Sequence, residues 1–363
     1  MSEHFIKNIE IKNFKCFKGF KAEGFGRVNL IGGKNNVGKT AFMEACYLSQ
    51  STSVAKLFEI LLEIKTHRNI INNLLSNKTR EEDIRALIKD NIGIELFIQG
   101  NGGEIINNET GEYEAWDDGL VKLSMEDGNV YIYTKYTRIN AIPGHYDEDT
   151  GEEILHEYPN IYNFSDLVTK LDAYFNNTRY KFNLNFVSPF SNSNTELENI
   201  IGESKLLDDK YENLNQYLLE VFNVSSIDII KNKPMLKLNG RYRELSDFGQ
   251  GIKSFINIIS SILLLKDDIV FIDEIENGIH YTNYDKLWEL ILKVSKEQNV
   301  QVFATTHSKE MIESYARVAK KLEDDDIRFI EMGKNKQNNI RAIVMDSNRF
   351  FRELEAQNEV RGW

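Results

Sequence analysis

Hydrophobic and polar residues alternate with a period of two near the start of the chain, in "FIKNIEIKNF" and again in "GRVNLI". This alternation predicts β-strands within residues 4–31. A helix is predicted from about 40 to 50, and apolar residues recur at helical spacing through about 52–90. Between about 92 and 160, short β-prone runs are broken by Gly, Asn and Asp, which predicts antiparallel hairpins. Helices are predicted to return at 164–176 and 196–222.

The last third of the chain alternates strand and helix. The predicted elements are the strand pair in "PMLKLNGRYREL", the helix "GIKSFINIISSILLL", the strand "DIVFIDE", the helix "YTNYDKLWELILKVSKE", the strand "VQVFATT", the strand pair "DDIRFIEM" and "NIRAIVMD", and the helix "SNRFFRELEAQNEVRG". Apolar strands that alternate with helices favour a mostly parallel sheet covered on both faces. The prediction is therefore an α/β core made of 1–50 and 235–363, into which 51–234 is inserted as a helical lobe and a β-hairpin subdomain.

The segment "GGKNNVGKT" lies between a predicted strand and a predicted helix and fits the spacing G-x-x-x-x-G-K-[ST]. Such a loop curls its N–H groups around a phosphate at the positive end of the helix dipole. Lys39 would reach the β- and γ-phosphates, and the Thr40 hydroxyl would hold Mg²⁺. The alternative is a glycine-rich turn that binds nothing. The predicted cofactor-binding residues of the loop are Gly33, Lys34, Asn35, Asn36, Val37, Gly38, Lys39, Thr40 and Ala41.

Two other apolar strands end in residues suited to the same chemistry. In "IVFIDEIENGIH", Asp273 would hold Mg²⁺ and Glu274 would act as the general base on water. In "VFATTHS", His307 would touch the γ-phosphate or the attacking water, the alternative being a surface histidine. Ligands in open α/β sheets bind at the carboxyl ends of strands, where all three side chains are expected.

A second anion cradle is predicted in "LSDFGQGIKSF", where Ser246, Gly249 and Gly251 are expected to open a helix. One nucleotide site does not need two cradles. The second would therefore face the nucleotide of another subunit in a two-fold dimer. The alternative is an ordinary capped helix.

Composition and charge narrow the class of protein. The chain has 363 residues, of which 41% are hydrophobic and 28% charged, as expected of a globular protein. It contains no apolar run of about 18 residues, and its charged start is unlike a signal peptide, so a cytoplasmic location without membrane contact is expected. Cys16 and Cys46 are expected to be reduced thiols. The net charge of −12 argues against broad contact with DNA.

The order of GGKNNVGKT, LSDFGQG, VFIDEIENGIH and TTHS resembles the ABC-type ATPase heads of the SMC, RecF and OLD class, and more closely the small bacterial AAA-annotated ATPases of that class. The resemblance covers roughly 1–50 and 235–363. It implies an ABC-ATPase-like P-loop fold in which 33–40 form Walker A, Asp273 and Glu274 form Walker B, and His307 is the switch histidine. Residues 246–251 would be the signature loop, although they depart from LSGGQ, and 278–280 would lie near the D-loop.

This resemblance implies a Mg²⁺-dependent ATPase with Glu274, His307 and Lys39 as catalytic residues. It would dimerise through ATP and switch a separately encoded effector protein, as such ATPases do in anti-phage defence. No heptad insertion of the SMC kind and no Toprim nuclease domain is expected. Adenine is favoured over guanine only through the family.

Two alternatives stay open. One is a DNA-binding repair head of the RecF or SMC kind, with small basic clusters in "KTHR", "KNKPMLK" and "RYRE". The other is a scaffold that binds ATP without turnover.

Overall fold

The computed structural model describes residues 5–68, 81–100, 104–106, 113–115, 118–134, 139–146, 153–157, 159–177, 184–189 and 194–356. The chain divides into two compact units. The first comprises 1–7, 22–43 and 181–363, and the second comprises 8–21 and 44–180. No helix in the described ranges has both the length and the apolar character needed to cross a membrane.

Strands and helices alternate along the described residues as follows. The strands are β1 (Ile6–Phe14), β2 (Phe17–Glu23), β3 (Val28–Gly33), β4 (Glu95–Gly100), β5 (Glu104–Ile106), β6 (Tyr113–Ala115), β7 (Asp118–Glu126), β8 (Asn129–Tyr133), β9 (Ile139–Tyr146), β10 (Glu153–Glu157), β11 (Asn160–Asn163), β12 (Phe186–Val187), β13 (Ser226–Ile230), β14 (Lys233–Leu238), β15 (Arg241–Glu244), β16 (Ile269–Ile272), β17 (Gln301–Thr305), β18 (Ile327–Lys334) and β19 (Ile340–Asp346). The helices are α1 (Lys39–Leu48), α2 (Val54–Arg68), α3 (Glu81–Asn91), α4 (Phe164–Asn177), α5 (Asn194–Lys205), α6 (Asp208–Phe222), α7 (Gln250–Leu264), α8 (Tyr284–Gln298), α9 (Lys309–Lys321) and α10 (Ser347–Glu355).

The first unit is built on a six-stranded sheet with the order β12-β16-β17-β3-β18-β19. Its neighbouring strands are parallel except for the antiparallel pair β18 and β19. Every residue of β3, β16 and β17 is buried, which explains their continuous apolar runs. The predicted α/β class with a mostly parallel central sheet is confirmed.

Both faces of this sheet are covered. On one face, residues of β3, β16 and β17 join a hydrophobic core with α7, α8 and α9, in which Trp288 is fully buried. On the other face, Phe303 stacks on Phe271 with ring centroids 5.6 Å apart, and Phe25 packs edge-on against both Phe303 and Phe42 of α1. This two-sided burial holds the strand ends in fixed positions.

The carboxyl-terminal part of the predicted insertion, 181–234, belongs to the first unit. Helices α5 and α6 and the three-stranded sheet β13-β14-β15 contribute to the same hydrophobic core as α7. Leu214 and Leu218 of α6 and Ile227 of β13 are fully buried there. The predicted boundary at 235 therefore falls inside this unit, because the apolar face of α7 is covered by elements that precede 235.

The second unit holds a six-stranded sheet with the order β11-β8-β7-β4-β1-β2. The pairs β4–β7, β7–β8 and β8–β11 are antiparallel, as the hairpin pattern predicts. The same unit contains α2, α3 and α4, and its limits differ from the predicted insertion by including 8–21 and 44–50. Strands β1 and β2 belong largely to this unit because β1 pairs with β4.

Two local predictions differ from the structure, and two elements were missed. The single helix predicted at 196–222 is two helices, broken at Leu206 and Leu207, whose side chains are 82% and 45% exposed. Helix α9 and the short strand β12 were not predicted. The final helix was predicted to reach 362, but α10 ends at Glu355 and residues 357–363 lie outside the described part of the chain.

Candidate functional site

The strands β16, β17 and β3 lie side by side and run parallel, so their carboxyl ends meet at one edge of the sheet. The glycine-rich loop follows β3, Asp273 follows β16, and His307 stands two residues after β17. Segments more than 200 positions apart in the sequence are therefore neighbours at this edge. This is the edge at which open α/β sheets bind ligands.

Glycine is required at position 33, where the loop leaves β3. Its φ of 149° is one that other residues rarely adopt, and a Cβ there would lie 2.4 Å from the carbonyl oxygen of Met332. Gly38, with a φ of 92°, ends the loop at the first turn of α1. Between them, Lys34, Asn35 and Asn36 are exposed, whereas Val37, like Ala41 beyond the loop, is buried. The sequence between the glycines thus forms a tight loop with an outward-facing polar crest.

Lys39 lies inside this loop. Its Nζ donates hydrogen bonds to the carbonyl oxygens of Gly33 (2.7 Å) and Lys34 (3.0 Å) and lies 3.1 Å from Nδ1 of His307. Burial lowers the pKa of Lys39 to about 8, and the nearby carboxylates of Glu276, Asp273 and Glu274 oppose this shift. A phosphate bound beside this ammonium would raise the pKa of Lys39 back toward its ordinary value, because a nearby negative charge favours the protonated form.

Thr40 and Asp273 are in direct contact. The Thr40 hydroxyl donates to Oδ1 of Asp273 at 3.1 Å, and the Thr305 hydroxyl donates to the same oxygen at 2.5 Å. The Thr305 oxygen also accepts a hydrogen bond from the backbone N–H of Glu274 at 2.8 Å. Thr305 therefore fixes both acidic residues relative to β17.

A hydroxyl and a carboxylate at this distance suit Mg²⁺, which prefers oxygen ligands and keeps several waters or phosphate oxygens. Within the described residues, no three His, Cys, Asp or Glu side chains converge to hold a metal by themselves. The protein would thus supply Thr40 and Asp273, and a bound triphosphate would supply further oxygens. The predicted metal ligands fit the ion in this way.

Glu274 and His307 lie at the exposed side of the cluster. Oε1 of Glu274 is 4.0 Å from Nε2 of His307. Lysine can only donate, so Nδ1 of His307 accepts from Lys39 and the proton of the neutral ring sits on Nε2, facing Glu274. Burial and the charge of Lys39 lower the pKa of His307, which keeps the ring neutral near pH 7. Burial, Asp273 and Glu276 raise the pKa of Glu274, which makes it a stronger base.

Two members of this cluster were missed in the sequence analysis. Thr305 bridges the acids, and Glu276 accepts a hydrogen bond from the backbone N–H of His307 at 2.6 Å. A polar residue closing the buried strand "VFAT" could have pointed to Thr305. Nothing in the local pattern of "DEIEN" distinguishes Glu276 from a solvated surface acid.

The loop predicted as the second cradle has a different local geometry from the one expected. Ser246 lies in a 3₁₀ turn at 245–247, where its hydroxyl donates to Glu244, and α7 begins only at Gln250 with Gly249 as its N-cap. Ser246 therefore precedes the helix and does not cap it. Gly251 is in the first turn, and a Cβ there would lie 2.5 Å from the carbonyl oxygen of Gly278. This loop thus packs against the turn that follows the tandem acids.

Sequence comparison finds a matching family and a similar protein. Residues 135–313 match a family described as "AAA domain, putative AbiEii toxin, Type IV TA system". A Helicobacter pylori protein described as an ATP/GTP phosphatase is 27% identical over 334 residues, covering 85% of this chain and 86% of the relative.

Among solved structures, an SMC head bound to the C-winged helix domain of ScpA is 14% identical with a TM-score of 0.46. The SMC head domain from Thermotoga maritima is also 14% identical, with a TM-score of 0.43. Each likeness covers 94% of this chain and 98% of the other.

The family match contains Asp273 and His307. The glycine-rich loop at 33–40 lies outside the matched segment. The hydrogen bond from Thr40 to Asp273 connects this loop to the matched segment. The chain is therefore similar over 135–313 to this AAA family, and its glycine-rich loop has the P-loop spacing G-x-x-x-x-G-K-[ST].

Proposed function

We propose that this protein binds a nucleoside triphosphate with Mg²⁺ and hydrolyses its terminal phosphate. The observation that carries the proposal is the contact between Thr40 of the glycine-rich loop and Asp273 at the end of β16. A hydroxyl after the loop lysine and a carboxylate from a neighbouring strand are the two protein groups that P-loop enzymes use for the metal. The name of the Helicobacter pylori relative, ATP/GTP phosphatase, supports the same reaction.

Each residue of the cluster has a role in this reaction. Backbone N–H groups of residues 33–40 and the N-terminus of α1 bind the phosphates, and Lys39 places its charge at the β- and γ-phosphates. Thr40 and Asp273 would hold Mg²⁺, and the bound ion would neutralise charge developing on the phosphate oxygens. Glu274 accepts the proton of the attacking water, and the neutral His307 donates through Nε2 toward the same region.

The base of the nucleotide is read elsewhere, because a phosphate loop contacts phosphates only. ATP is proposed through the resemblance, and GTP is the competing substrate to be measured beside it. The second proposed property is a nucleotide-dependent homodimer in which residues 246–251 approach the partner's nucleotide. The exposed positions of Ser246, Gly249 and Gln250 support this proposal.

A cellular role as a switch for a separately encoded effector, in anti-phage defence and at a cytoplasmic location, extends this proposal. It is supported by the description of the matched family as part of a toxin–antitoxin system. The DNA-binding alternative gains little from the structure. One basic residue of these clusters, Lys233 on β14, already pairs with Glu244 at 2.6 Å.

The decisive experiment separates binding from turnover in two variants. Glu274→Gln should bind ATP with nearly unchanged affinity but hydrolyse it about 10²- to 10⁴-fold more slowly, the usual contribution of a positioned base. Lys39→Ala should lose affinity for the nucleotide. Glu313→Gln, which removes an exposed acid of α9 paired only with Lys309 among the contacts described, is the matched control and should behave as wild type.

Binding of fluorescent ATP and GTP analogues and phosphate release should be measured with Mg²⁺ and with EDTA. Mass of the Glu274→Gln protein by light scattering, with and without MgATP, tests the dimer. Wild-type binding without turnover would favour the scaffold alternative, and salt-dependent DNA binding would favour the repair head. Unchanged turnover in Glu274→Gln would remove the general base from the mechanism.

A further inference from the structure

We propose that Glu276 is a positioning residue for the hydrolytic site, holding the loop that carries His307 in the orientation that hydrolysis needs. The inference rests on the proposed function, which assigns roles to Glu274, His307 and Lys39 but none to Glu276. It names a residue that the sequence pattern gave no reason to select.

The first observation is the hydrogen bond between Glu276 and the loop after β17. Oε1 of Glu276 accepts from the backbone N–H of His307 at 2.6 Å. A bond from an amide to a carboxylate is charge-assisted and about twice as strong as one between neutral groups. It fixes the peptide plane of His307, and hence the direction in which the imidazole leaves the backbone.

The second observation is the state of the other carboxylate oxygen. Oε2 of Glu276 is buried and has no hydrogen-bond partner among the described residues. A half-satisfied buried carboxylate destabilises a fold. Among the described residues, the bond to the His307 N–H is therefore the hydrogen bond that the side chain of Glu276 makes.

The third observation is which groups feel that charge. Glu276 is the carboxylate with the largest electrostatic effect on Lys39, ahead of Asp273 and Glu274. It also acts on His307 and Glu274. Glu276 thus lies close enough to Lys39, His307 and Glu274 to belong to the same cluster.

The turn that carries Glu276 is itself fixed. The N–H of Ile275 donates to the carbonyl oxygen of Thr305 at 3.0 Å, and the N–H of Ile279 donates to the carbonyl oxygen of Glu276 at 3.0 Å. The side chain of Asn277 donates to the carbonyl oxygen of Pro189. Since the turn that carries Glu276 is held against the end of β17, Glu276 gives the His307 N–H a fixed acceptor.

The geometry gives a specific consequence. With the His307 backbone fixed, Nδ1 lies 3.1 Å from Nζ of Lys39 and Nε2 lies 4.0 Å from Glu274. Without the bond, the loop can rotate, and the imidazole loses its position between the lysine and the general base. Phosphate binding depends on the glycine-rich loop and Lys39, so the main effect should fall on the chemical step.

The test compares Glu276→Ala, Glu276→Gln and the control Glu313→Gln. Glutamine keeps an acceptor oxygen for the His307 N–H but removes the charge, whereas alanine removes both. Glu276→Ala should lower kcat by about 10- to 100-fold, the range for a misplaced reacting group, with the Kd for MgATP within about 3-fold of wild type. Glu276→Gln should recover most of kcat, because it keeps the acceptor that orients the His307 backbone.

A second readout does not need activity. In protein labelled with ¹⁵N-histidine, the amide proton of His307, assigned with His307→Gln, should resonate downfield because its acceptor is a carboxylate. It should move upfield in Glu276→Ala and less so in Glu276→Gln, which also serves if the alanine variant does not fold.

Wild-type turnover with unchanged kcat in Glu276→Ala, or an unmoved His307 amide, would overturn the inference. A loss of MgATP affinity as large as the loss of kcat, or a Glu276→Gln protein as slow as Glu276→Ala, would do the same. Absence of turnover in the wild-type protein would instead refute the proposed function, while the amide shift would still report whether Glu276 holds His307.

Discussion

Replacing Thr305 with valine removes one hydroxyl while preserving the shape of a fully enclosed side chain. Thr305 is 1% exposed and makes two bonds at the site. Its hydroxyl donates to Oδ1 of Asp273 at 2.5 Å and accepts from the N–H of Glu274 at 2.8 Å. Valine can do neither, so Asp273 keeps only the bond from Thr40 among those described at its Oδ1.

The magnitude follows from the type of bond lost. A hydrogen bond to a charged group contributes about 1.5–3 kcal/mol, and the unpaired N–H of Glu274 adds to the loss, so a decrease of about 2–3 kcal/mol in the free energy of unfolding of the first unit is expected. Partners that orient a metal ligand typically change affinity or activity by about 10- to 100-fold when removed. The Mg²⁺ concentration for half-maximal turnover should therefore rise by about 10-fold.

Thr306→Val is the matched control. Thr306 is also fully buried, and its hydroxyl oxygen accepts from the N–H of Ser308 at 3.1 Å. Removing this neutral bond should lower stability by about 1 kcal/mol and leave the Mg²⁺ dependence unchanged.

Urea unfolding can be followed through Trp288, which lies in the core of the first unit, after Trp116→Phe and Trp363→Phe make it the sole tryptophan. Phosphate release against Mg²⁺ concentration gives the second measurement. Equal losses of stability in the two valine variants, with the same Mg²⁺ dependence, would refute the reasoning.

Two further predictions concern other parts of the site. Gly251→Ala should lower the free energy of unfolding by about 1–3 kcal/mol, because a Cβ would lie 2.5 Å from the carbonyl oxygen of Gly278, whereas Gly249→Ala, with no atom within 4 Å, should leave urea unfolding unchanged. Equal stability of the two variants would contradict this. ATP affinity in EDTA should fall by up to about tenfold per pH unit above pH 8, since the pKa of Lys39 is lowered to about 8 by burial and the phosphates bind the protonated form. Lys39→Arg stays charged and should show no such slope, and a flat profile in the wild-type protein between pH 7 and 9.5 would count against the assignment.

Continuous apolar runs made the strands of the central sheet predictable. The apolar runs of β3, β16 and β17 are buried on both faces, so their composition alone reveals them. The position of Asp273 and His307 at strand ends then follows from parallel pairing. The site residues at this edge could be predicted because they depend on strand order and on spacing that a short motif specifies.

Elements that depend on tertiary context were missed. Strand β12 has two residues, too few to show a period, and exists because it pairs with β16. Helix α9 did have a local signal in Ser308, whose side chain accepts from the N–H of Met311 as an N-cap. Leu206 and Leu207 continue the apolar pattern of α5 but lie in an exposed turn, so periodicity alone placed one helix where there are two.

The acid and hydroxyl that complete the site could not be found from spacing. Thr305 and Glu276 act through contacts with residues 31 or 32 positions away in sequence. Such contacts are created by the sheet and by the turn after β16, and neither residue has a distinctive local pattern. Sequence reasoning therefore finds the groups that touch a ligand more readily than those that orient them.

Glu274 occupies a left-handed backbone conformation, with a φ of 49°. For a residue other than glycine this conformation costs of the order of 1 kcal/mol or more, and glycine would adopt it freely. Glycine at position 274 would therefore give a more stable fold than glutamate does. A purified Glu274→Gly protein should resist urea better than wild type but fail to release phosphate. The difference in the free energy of unfolding between the two proteins would then measure how much stability the chain gives up for a carboxylate at this position.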